Sequence, residues 1–337
     1  MNARVVAVLL VLLLALGGGA LLVQQQSGSQ KPADAGSLGQ PLLKGLQAAD
    51  IAAIVIRQPK AALTIEKKND RWTIAERDGF PADFDKVRDF VLKMISVKIG
   101  QSEPIGEKDR ARLNLDDSGT AIEFLGADRK PLARLTAGKK YFKAEPENPQ
   151  KAIGDGRYVA LPGDEKRVYV IADPLGQAST KTADWISKLG IGAEKIKSLE
   201  VRDAAGAVWK VERSGDNADW KLAGARGDEK LEITKANAAS YTFGQISIAD
   251  VAAKDAKPED TRLDKPTLIT ATTLDGQTYV LKIGKPEGDN LYAALTVTGG
   301  PKHALEGYVV LIPKSKLDDI LRKRAELLAK KEEKKKK

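Results

Sequence analysis

Few residues in this sequence are of a type that carries out acid–base or nucleophilic chemistry. The 337-residue chain has no Cys and one His, His303, which follows Gly299-Gly300-Pro301-Lys302 in a predicted loop. A His that acts as a general base needs a partner to orient its ring, and no feature of the sequence supplies one. The lack of Cys excludes thiol nucleophiles, disulfides and cysteine-based metal sites. We therefore expect no catalytic residue, no metal site and no cofactor, and hence a protein that is not an enzyme.

Two pairs of adjacent carboxylates, Asp116-Asp117 and Asp318-Asp319, are the remaining candidates for acid–base work. Adjacent side chains point to opposite faces of a strand, and on a helix they lie about 100° apart. We therefore interpret both pairs as surface residues or helix caps. The run Gly138-Lys139-Lys140 lacks the upstream Gly and the following Ser or Thr of a phosphate-binding loop, so it does not indicate a nucleotide site.

The elements that position these residues occur twice along the chain. The stretch from about Ile51 to Leu189 recurs in degenerate form from about Ile196 to Leu328. For example, Leu63–Lys67 (LTIEK) matches Trp209–Arg213 (WKVER). A period this long indicates two tandem domains, because solenoid repeats are much shorter.

Two kinds of residue stand at matching places in the two copies. Trp72 and Trp220 fit either a pair of aromatic ligand platforms or one core anchor in each domain. Duplication favours the anchor, because core residues are kept in both copies whereas sites tend to be kept in one. Arg112 and Arg262 fit either an anion-binding pair or structural residues that fix a loop through backbone hydrogen bonds, and the structural role is favoured.

Short β-branched runs separated by turn residues predict strands in each copy. An amphipathic helix is predicted from about Asp83 to Ile95, capped by Asp83, because apolar residues recur at i, i+3, i+4, i+7 and i+8. The second copy predicts an equivalent helix that is capped by Thr234 and carries Ala238, Tyr241 and Gln245.

A further helix is predicted to close each copy. In the first copy it covers Ala183 to Leu189. In the second copy Ser315 opens it, Asp318 completes a capping box, and the helix continues through Leu328.

Alternating strands joined by short turns, with helices on one face, predict an α+β fold. It comprises two tandem similar domains, each a mainly antiparallel sheet with one or two packed helices, behind an N-terminal transmembrane helix. The predicted organisation is a membrane anchor or signal peptide (1–23), a flexible linker (24–48), the first α+β repeat (49–192), the second (193–328) and a basic tail (329–337).

The N-terminal segment predicts where the protein is located. Val5–Val23 is 19 residues without a charged or strongly polar side chain. As a helix it spans about 28 Å, close to the hydrocarbon thickness of a bilayer. As a signal anchor it stays in the membrane, whereas as a signal peptide it is cut after Ala20. The leucine-rich run Leu9–Leu14 favours the anchor, and in both cases Arg4 stays on the cytoplasmic side while the body is exported.

The net charge of +9 is concentrated at the C-terminus. Arg322–Lys337 holds nine Lys and Arg against three Glu. The rest of the chain has no basic stripe interleaved with aromatic residues, so we expect no nucleic-acid binding. The tail fits either a solubilising end or a contact with anionic lipid headgroups, which is worth about 1 kcal/mol per Lys.

Several of these features together resemble a bacterial family. They are the single apolar N-terminal helix, the strand-turn-Trp opening, the Asp83 helix, the Arg-Leu before a hairpin and the duplication. The family is that of the domain of unknown function (DUF) 4340, and the likeness covers roughly Ile51 to Leu321. The longer insertion Lys139–Gly156, opposite Lys285–Asn290, departs from neat symmetry. The resemblance implies a membrane-anchored envelope protein. It also implies a companion of ABC-type transport systems similar to those linked to gliding motility. The family has no assigned catalytic residues to carry over.

We therefore expect a non-enzymatic scaffold on the bacterial inner (cytoplasmic) membrane, spanning it once, with its body on the periplasmic side. Its expected partners are the membrane and subunits of an ABC-type transporter. The alternative is an envelope module that binds a glycan or lipid in a groove between the repeats. An envelope hydrolase is the weakest hypothesis, because neither a nucleophile-base set nor a metal cluster is found in the sequence.

Overall fold

The computed structural model of the protein describes residues 37–143 and 153–329. The predicted anchor 1–23, the linker up to residue 36 and the basic tail from residue 330 lie outside these residues, as does the centre of the insertion. Within the described residues, no helix is both long and apolar enough to cross a membrane.

The chain divides into two compact units. The described residues of the first unit fall within Met1–Asp50, Val91–Glu123 and Pro131–Gly176, and those of the second within Ile51–Phe90, Phe124–Lys130 and Gln177–Lys337. In the first unit, Leu115, Ala160 and Val168 form a buried cluster, with Tyr158 packed against it. In the second unit, the rings of Phe90 and Trp185 meet edge to face at 5.2 Å.

Nine strands of the described chain form the first sheet. They are β1 (Ala53–Gln58), β2 (Ala61–Lys68), β3 (Arg71–Ile74), β4 (Phe80–Pro81), β5 (Ile99–Pro104), β6 (Thr120–Leu125), β7 (Pro131–Lys143), β8 (Ile153–Ala160) and β9 (Arg167–Ile171). Their hydrogen-bonded order is β4-β3-β2-β1-β6-β7-β8-β9-β5. Asn69 and Asp70 both have positive φ between β2 and β3. These two residue types tolerate that conformation, which tight hairpin turns require.

Eight strands of the described chain form the second sheet. They are β10 (Ile196–Asp203), β11 (Gly206–Glu212), β12 (Lys221–Leu222), β13 (Asp250–Val251), β14 (Thr267–Thr273), β15 (Thr278–Glu287), β16 (Asn290–Thr298) and β17 (Val309–Pro313). Their order is β12-β11-β10-β14-β15-β16-β17-β13. All neighbouring pairs are antiparallel.

The strand orders of the two sheets correspond one to one, except that β4 has no equivalent. The longer helices, α1 (Phe84–Ser96) and α3 (Ile233–Gly244), take matching places in the two series. So do the short helices α2 (Glu107–Arg112) and α4 (Pro258–Thr261). The prediction of an α+β fold is confirmed, with two mainly antiparallel sheets and few helices. The division into repeats 49–192 and 193–328 stays a prediction, and the strands of the first and second sheets lie within these two ranges.

Helix α1 begins and packs as its sequence predicts. A carboxylate oxygen of Asp83 accepts hydrogen bonds from the backbone N–H groups of Asp85 (3.1 Å) and Lys86 (3.3 Å). Burial by itself raises the pKa of Asp83, but the hydroxyl of Ser187 and these N–H groups outweigh it, so the pKa is lowered. The apolar stripe of the helix is buried at Val87, Phe90, Val91 and Met94.

Helix α3 starts earlier and faces differently than predicted. Its cap residue is Glu232 rather than Thr234, which lies inside the helix. The buried positions are Ala236, Ala239 and Phe243, whereas Tyr241 is 72% exposed. Tyr241 is two residues from both Ala239 and Phe243, about 200° around the helix, so it lies on the opposite face, towards solvent.

The predicted closing helix Ala183–Leu189 is wrong. Only a 3-10 turn at Thr182–Asp184 forms there. The carbonyl of Trp185 instead accepts the N–H of Asp83 at 2.7 Å, and the carbonyl of Ile186 accepts the ammonium of Lys86 at 2.8 Å. These long-range bonds use the carbonyls that a helix would need for its own ladder.

The predicted closing helix Ser315–Leu328 is also wrong. The segment has two separate 3-10 turns, Lys314–Lys316 and Arg324–Leu327. Between them, the carbonyl of Arg322 accepts the indole N–H of Trp209 at 2.9 Å. The chain then runs beside residues 230–232, where Leu231 bridges Leu328. Tertiary bonds again replace the helical ladder.

Candidate functional site

The ring of His303 is committed to holding a loop. Its Nδ1 accepts the backbone N–H of Leu305 at 3.2 Å, and its Nε2 lies 3.1 Å from the carbonyl oxygen of Ile191. A nitrogen that accepts an N–H carries no proton, so Nε2 is the donor to Ile191. Both nitrogens are therefore engaged by backbone groups of the loop and of Ile191.

The adjacent carboxylates act separately. The Asp116 carboxylate accepts the backbone N–H of Ser118 at 3.0 Å and its hydroxyl at 2.5 Å. These two bonds, the hydroxyl first, lower the pKa of Asp116. Asp319 pairs with Arg322 and accepts the hydroxyl of Thr242 at 3.2 Å. Asp116 thus holds its own turn, whereas Asp319 joins its turn to α3.

The two tryptophans occupy matching positions relative to the two hairpins but differ in burial. In the β2–β3 hairpin, Ile74 lies opposite Ile65, and in the β11–β12 hairpin, Leu222 lies opposite Val211. Trp72 and Trp220 each come two residues before these positions. Trp220 is buried, and its indole N–H bonds the Asn237 side chain at 2.9 Å.

A cation covers one face of the buried tryptophan. The Arg213 guanidinium lies 4.8 Å from the ring centroid of Trp220, so this face cannot stack on a ligand. Trp72 is only half-buried. The core-anchor interpretation therefore holds for Trp220, and Trp72 contributes less to the core than predicted.

The paired arginines do not fix loops through backbone hydrogen bonds as predicted. Arg112 forms an exposed ion pair with Asp109 at 3.0 Å. Arg262 is exposed and ends α4 with a left-handed backbone conformation, φ 57°. The sequence alone does not show which arginine lies next to a carbonyl from a remote part of the chain.

Two other arginines perform the loop-fixing role. Arg157 donates to the carbonyl oxygens of Gly138 (2.7 Å) and Pro174 (2.9 Å). Burial lowers the pKa of this guanidinium. Arg213 donates to the carbonyls of Ile196 and Asp216. The sequence reasoning missed this role for both residues.

Gly138 is a packing residue rather than part of a phosphate loop. A Cβ atom at this position would overlap the carbonyl oxygen of Leu113 and lie 2.8 Å from a methyl carbon of Leu115. Lys139 donates its backbone N–H to the same Leu113 carbonyl at 2.8 Å. The glycine lets β7 lie close to the end of α2.

A cluster that the sequence does not reveal involves Arg77, Asp184 and Asp250. Burial raises the pKa of Asp250, a rise that the Val251 N–H and Arg77 oppose and Asp184 reinforces. The Arg77 Nε is buried with no hydrogen-bond partner among the described residues. The three residues lie far apart in sequence, so no local pattern could bring them together.

Within the same described residues, no group of three His, Cys, Asp or Glu side chains could hold a metal ion.

A basic depression lies on the second sheet, with a volume of about 510 Å³. Here "basic depression" means the surface lined by Lys197, Ser198, Lys210, Glu212, Arg213, Ser214, Lys221 and Thr272. Four of these side chains are cationic and one is a carboxylate. Lys210 pairs with Glu212 at 3.3 Å.

The protein thus has an α+β fold with two sheets. Its candidate acid–base residues form hydrogen bonds that hold turns and loops. The chain belongs to the family described as Domain of unknown function (DUF4340), whose profile matches residues 72–266. The match runs from β3 of the first sheet to the residue before β14 of the second. No curated protein and no solved structure is significantly similar to the chain.

Proposed function

We propose that the chain is a non-enzymatic, membrane-anchored envelope protein that works by docking, as an accessory or scaffold component of an ABC-type transport system. One observation carries the docking role. Both longer helices begin with a large apolar residue in solvent, Phe84 at 61% exposure and Ile233 at 38%. Burying such a side chain stabilises by about 1.5–3 kcal/mol. Interface energy concentrates in a few residues that become buried, aromatic ones above all.

The non-enzymatic part of the proposal is supported by how the polar side chains are used. His303 bonds two backbone groups, while Asp116 and Asp319 bond residues of neighbouring turns. Groups committed in this way contribute to the stability of the fold, and a reaction would require them to leave these partners.

We also propose that the two sheets are tandem copies of one domain. The corresponding strand orders support this, as do the glycines at one matching position. A Cβ atom at Gly138 in β7 would overlap a carbonyl at the end of α2, and one at Gly284 in β15 would overlap a carbonyl at the end of α4. The same close approach thus occurs beside both sheets.

The membrane part of the proposal rests on the sequence. The uncharged run Val5–Val23 has the length of a membrane span and follows Arg4. The basic residues that follow Ala329 would add an electrostatic contact with anionic lipid headgroups.

Site-specific photo-cross-linking in native membranes tests the docking role. A benzophenone amino acid is placed in the full chain at position 84 or 233, with position 205, an exposed Ala in the β10–β11 turn, as the matched control. After irradiation and solubilisation, mass spectrometry identifies the adducts. We expect transporter subunits at 84 and 233 but not at 205. Equal adducts at all three positions, or none at 84 and 233, would contradict docking through these residues.

The alternative function is an envelope module that binds a glycan or lipid. A depression of about 450 Å³ in the second unit supports it, because exposed Tyr241 lines this surface beside Asn237, Ser240 and Gln245. An aromatic ring next to hydroxyl and amide groups offers a sugar both stacking and hydrogen bonds. Loss of docking adducts combined with saturable binding of envelope oligosaccharides would favour this function.

A further inference from the structure

We propose that the basic depression on the second sheet is a binding site for a phosphoryl group, carried by an anionic phospholipid headgroup or by a soluble phosphate ester. The site goes beyond the docking role and does not depend on it. Its lining comes from adjacent strands β10, β11, β12 and β14, together with the turn that follows β11.

The charge of the depression matches this ligand. Lys197, Lys210, Lys221 and Arg213 face it against the single carboxylate of Glu212. Glu212 neutralises Lys210, and Arg213 pairs with Asp216 at 2.8 Å. Within residues 37–143 and 153–329, no carboxylate forms an ion pair with Lys197 or Lys221. Two ammonium groups are therefore available to the oxygens of an anion.

Hydroxyl groups lie between these cations. Ser198 of β10 is opposite Thr272 of β14, and both line the depression with Ser214. A phosphoryl group offers several acceptor oxygens, and hydrogen bonds to charged groups are stronger than neutral ones. Lysine ammonium groups with flanking hydroxyl donors thus suit a phosphate better than an uncharged sugar.

A β-bulge places the key lysine. Ile196 of β10 is opposite Thr273, but Ser198 is opposite Thr272, so Lys197 is an extra residue in β10. Bulges re-aim side chains and are common beside functional sites. The carbonyl of Lys197 accepts the backbone N–H of Arg213 at 2.9 Å, which fixes the bulge against the neighbouring chain. Lys197 and Ser198 therefore both line the depression, although adjacent strand residues normally face opposite sides.

The first sheet has no cation at the places of Lys210 and Lys221. Ile65 lies opposite Ile74 as Val211 lies opposite Leu222. By this register, the residues at the places of Lys210 and Lys221 are Thr64 and Thr73. The fold alone does not require lysines here, so their presence in the second sheet calls for a separate role.

The depression, at about 510 Å³, lies within the usual size range of small-molecule sites, roughly 300–1,000 Å³.

Calorimetric titration of the full chain in a non-ionic detergent tests the proposal. The probes are glycerol 3-phosphate, which is soluble, and dihexanoyl phosphatidylglycerol, a short-chain lipid. The test variant is Lys197→Gln with Lys221→Gln. The matched control is Lys302→Gln with Lys316→Gln, which removes the same charge from exposed residues outside the depression.

We expect binding of the lipid probe, or of both probes, to weaken roughly fivefold per lysine removed and about 25-fold in the test variant. The control should change by less than about threefold. Binding of the lipid alone would assign the source to a membrane headgroup, and binding of both would include soluble phosphate esters. The absence of binding by both probes would overturn the proposal. An equal loss in the control would overturn it too, because binding would then follow overall charge. The thermal unfolding midpoint of each variant checks that it remains folded.

Discussion

Gly284 in β15 lies directly against the carbonyl oxygen of Thr261 at the end of α4, with no room between them for a Cβ atom. The same Cβ atom would also lie 3.3 Å from a methyl carbon of Leu263. The strand and the short helix can be this close only because residue 284 has no side chain. In β7 of the first sheet, Gly138 meets the Leu113 carbonyl in the same way.

Replacing either glycine should therefore destabilise the protein. Gly284→Ala or Gly138→Ala forces the strand away from a backbone carbonyl, and overpacking of this kind costs roughly 1–3 kcal/mol. Gly215→Ala is the control, because a Cβ atom at position 215 meets nothing within 4 Å. Urea unfolding followed by circular dichroism measures the three changes. Gly215→Ala should leave the stability unchanged or raise it slightly, because Ala restricts the unfolded chain. Destabilisation by Gly215→Ala as large as by Gly284→Ala would show that the close contact does not set the cost.

His303 should matter for stability and not for function. His303→Ala removes two hydrogen bonds that hold the 299–308 loop, so the free energy of unfolding should fall by about 1–2 kcal/mol. Complementation of a deletion strain should remain intact at normal protein abundance. Asp117→Ala, at an exposed position, should change neither quantity. Complete loss of complementation by folded, normally abundant His303→Ala protein would contradict the non-enzymatic proposal and favour an enzyme instead.

The half-buried carboxyl of Asp250 should make stability depend on pH. Burial, reinforced by Asp184, raises its pKa above the ordinary value of 3.8, although the Val251 N–H and Arg77 oppose the rise. The folded state then binds this proton more tightly than the unfolded state. The contribution of this group to stability is present below pH 3.8 and is lost as pH rises through the folded pKa.

Asp250→Asn should therefore stabilise the protein at pH 7, and its advantage over wild type should vanish below about pH 3.8. The amide oxygen still accepts the Val251 N–H. Thermal unfolding of both proteins across pH 3–8 measures the difference, with Asp117→Asn as an exposed control. A destabilised Asp250→Asn protein at pH 7 would show that the Arg77 interaction outweighs the burial of the carboxylate.

The two tryptophans should differ in how much each contributes to the free energy of unfolding. Trp220→Ala empties a buried site and leaves the Asn237 amide and Arg213 without their ring partner, so it should cost about 3–5 kcal/mol. Trp72→Ala should cost less than half as much, because Trp72 is half-buried. Denaturant unfolding of the two variants makes the comparison directly. Equal costs would mean that both rings are equivalent core anchors, as the duplication first indicated.

The N-terminal segment predicts how the protein fractionates. Because Val5–Val23 has the length of a bilayer span, the full chain should sediment with membranes and resist extraction by alkaline carbonate. Replacing Leu13 by Arg in this segment should release it, since a charge at the centre of a span costs about 2.5–3.5 kcal/mol. Recovery of a soluble form beginning near Leu21 would establish the signal-peptide alternative instead.

Local sequence patterns determined much of this protein. Strands form in both copies, as the short β-branched runs predict, and the helix predicted from Asp83 to Ile95 forms at Phe84–Ser96. Hydrophobic periodicity, helix caps and turn residues each involve groups within a few residues of one another. They can therefore be recognised without a structure. The same patterns sufficed for the α+β class and for the family, whose profile covers both sheets in part.

Long-range partners decided the rest. The segments after Thr182 and after Ser315 have helical patterns, but Asp83, Lys86 and Trp209 bond carbonyls in them from about 100 residues away. The ring of His303 meets Ile191 across 112 residues, and a bulge opposite Thr272 and Thr273 adds Lys197 to the basic depression. A sequence shows which groups can bond. Only the tertiary structure shows which of them meet, because the energy of each bond depends on a partner that no local pattern specifies.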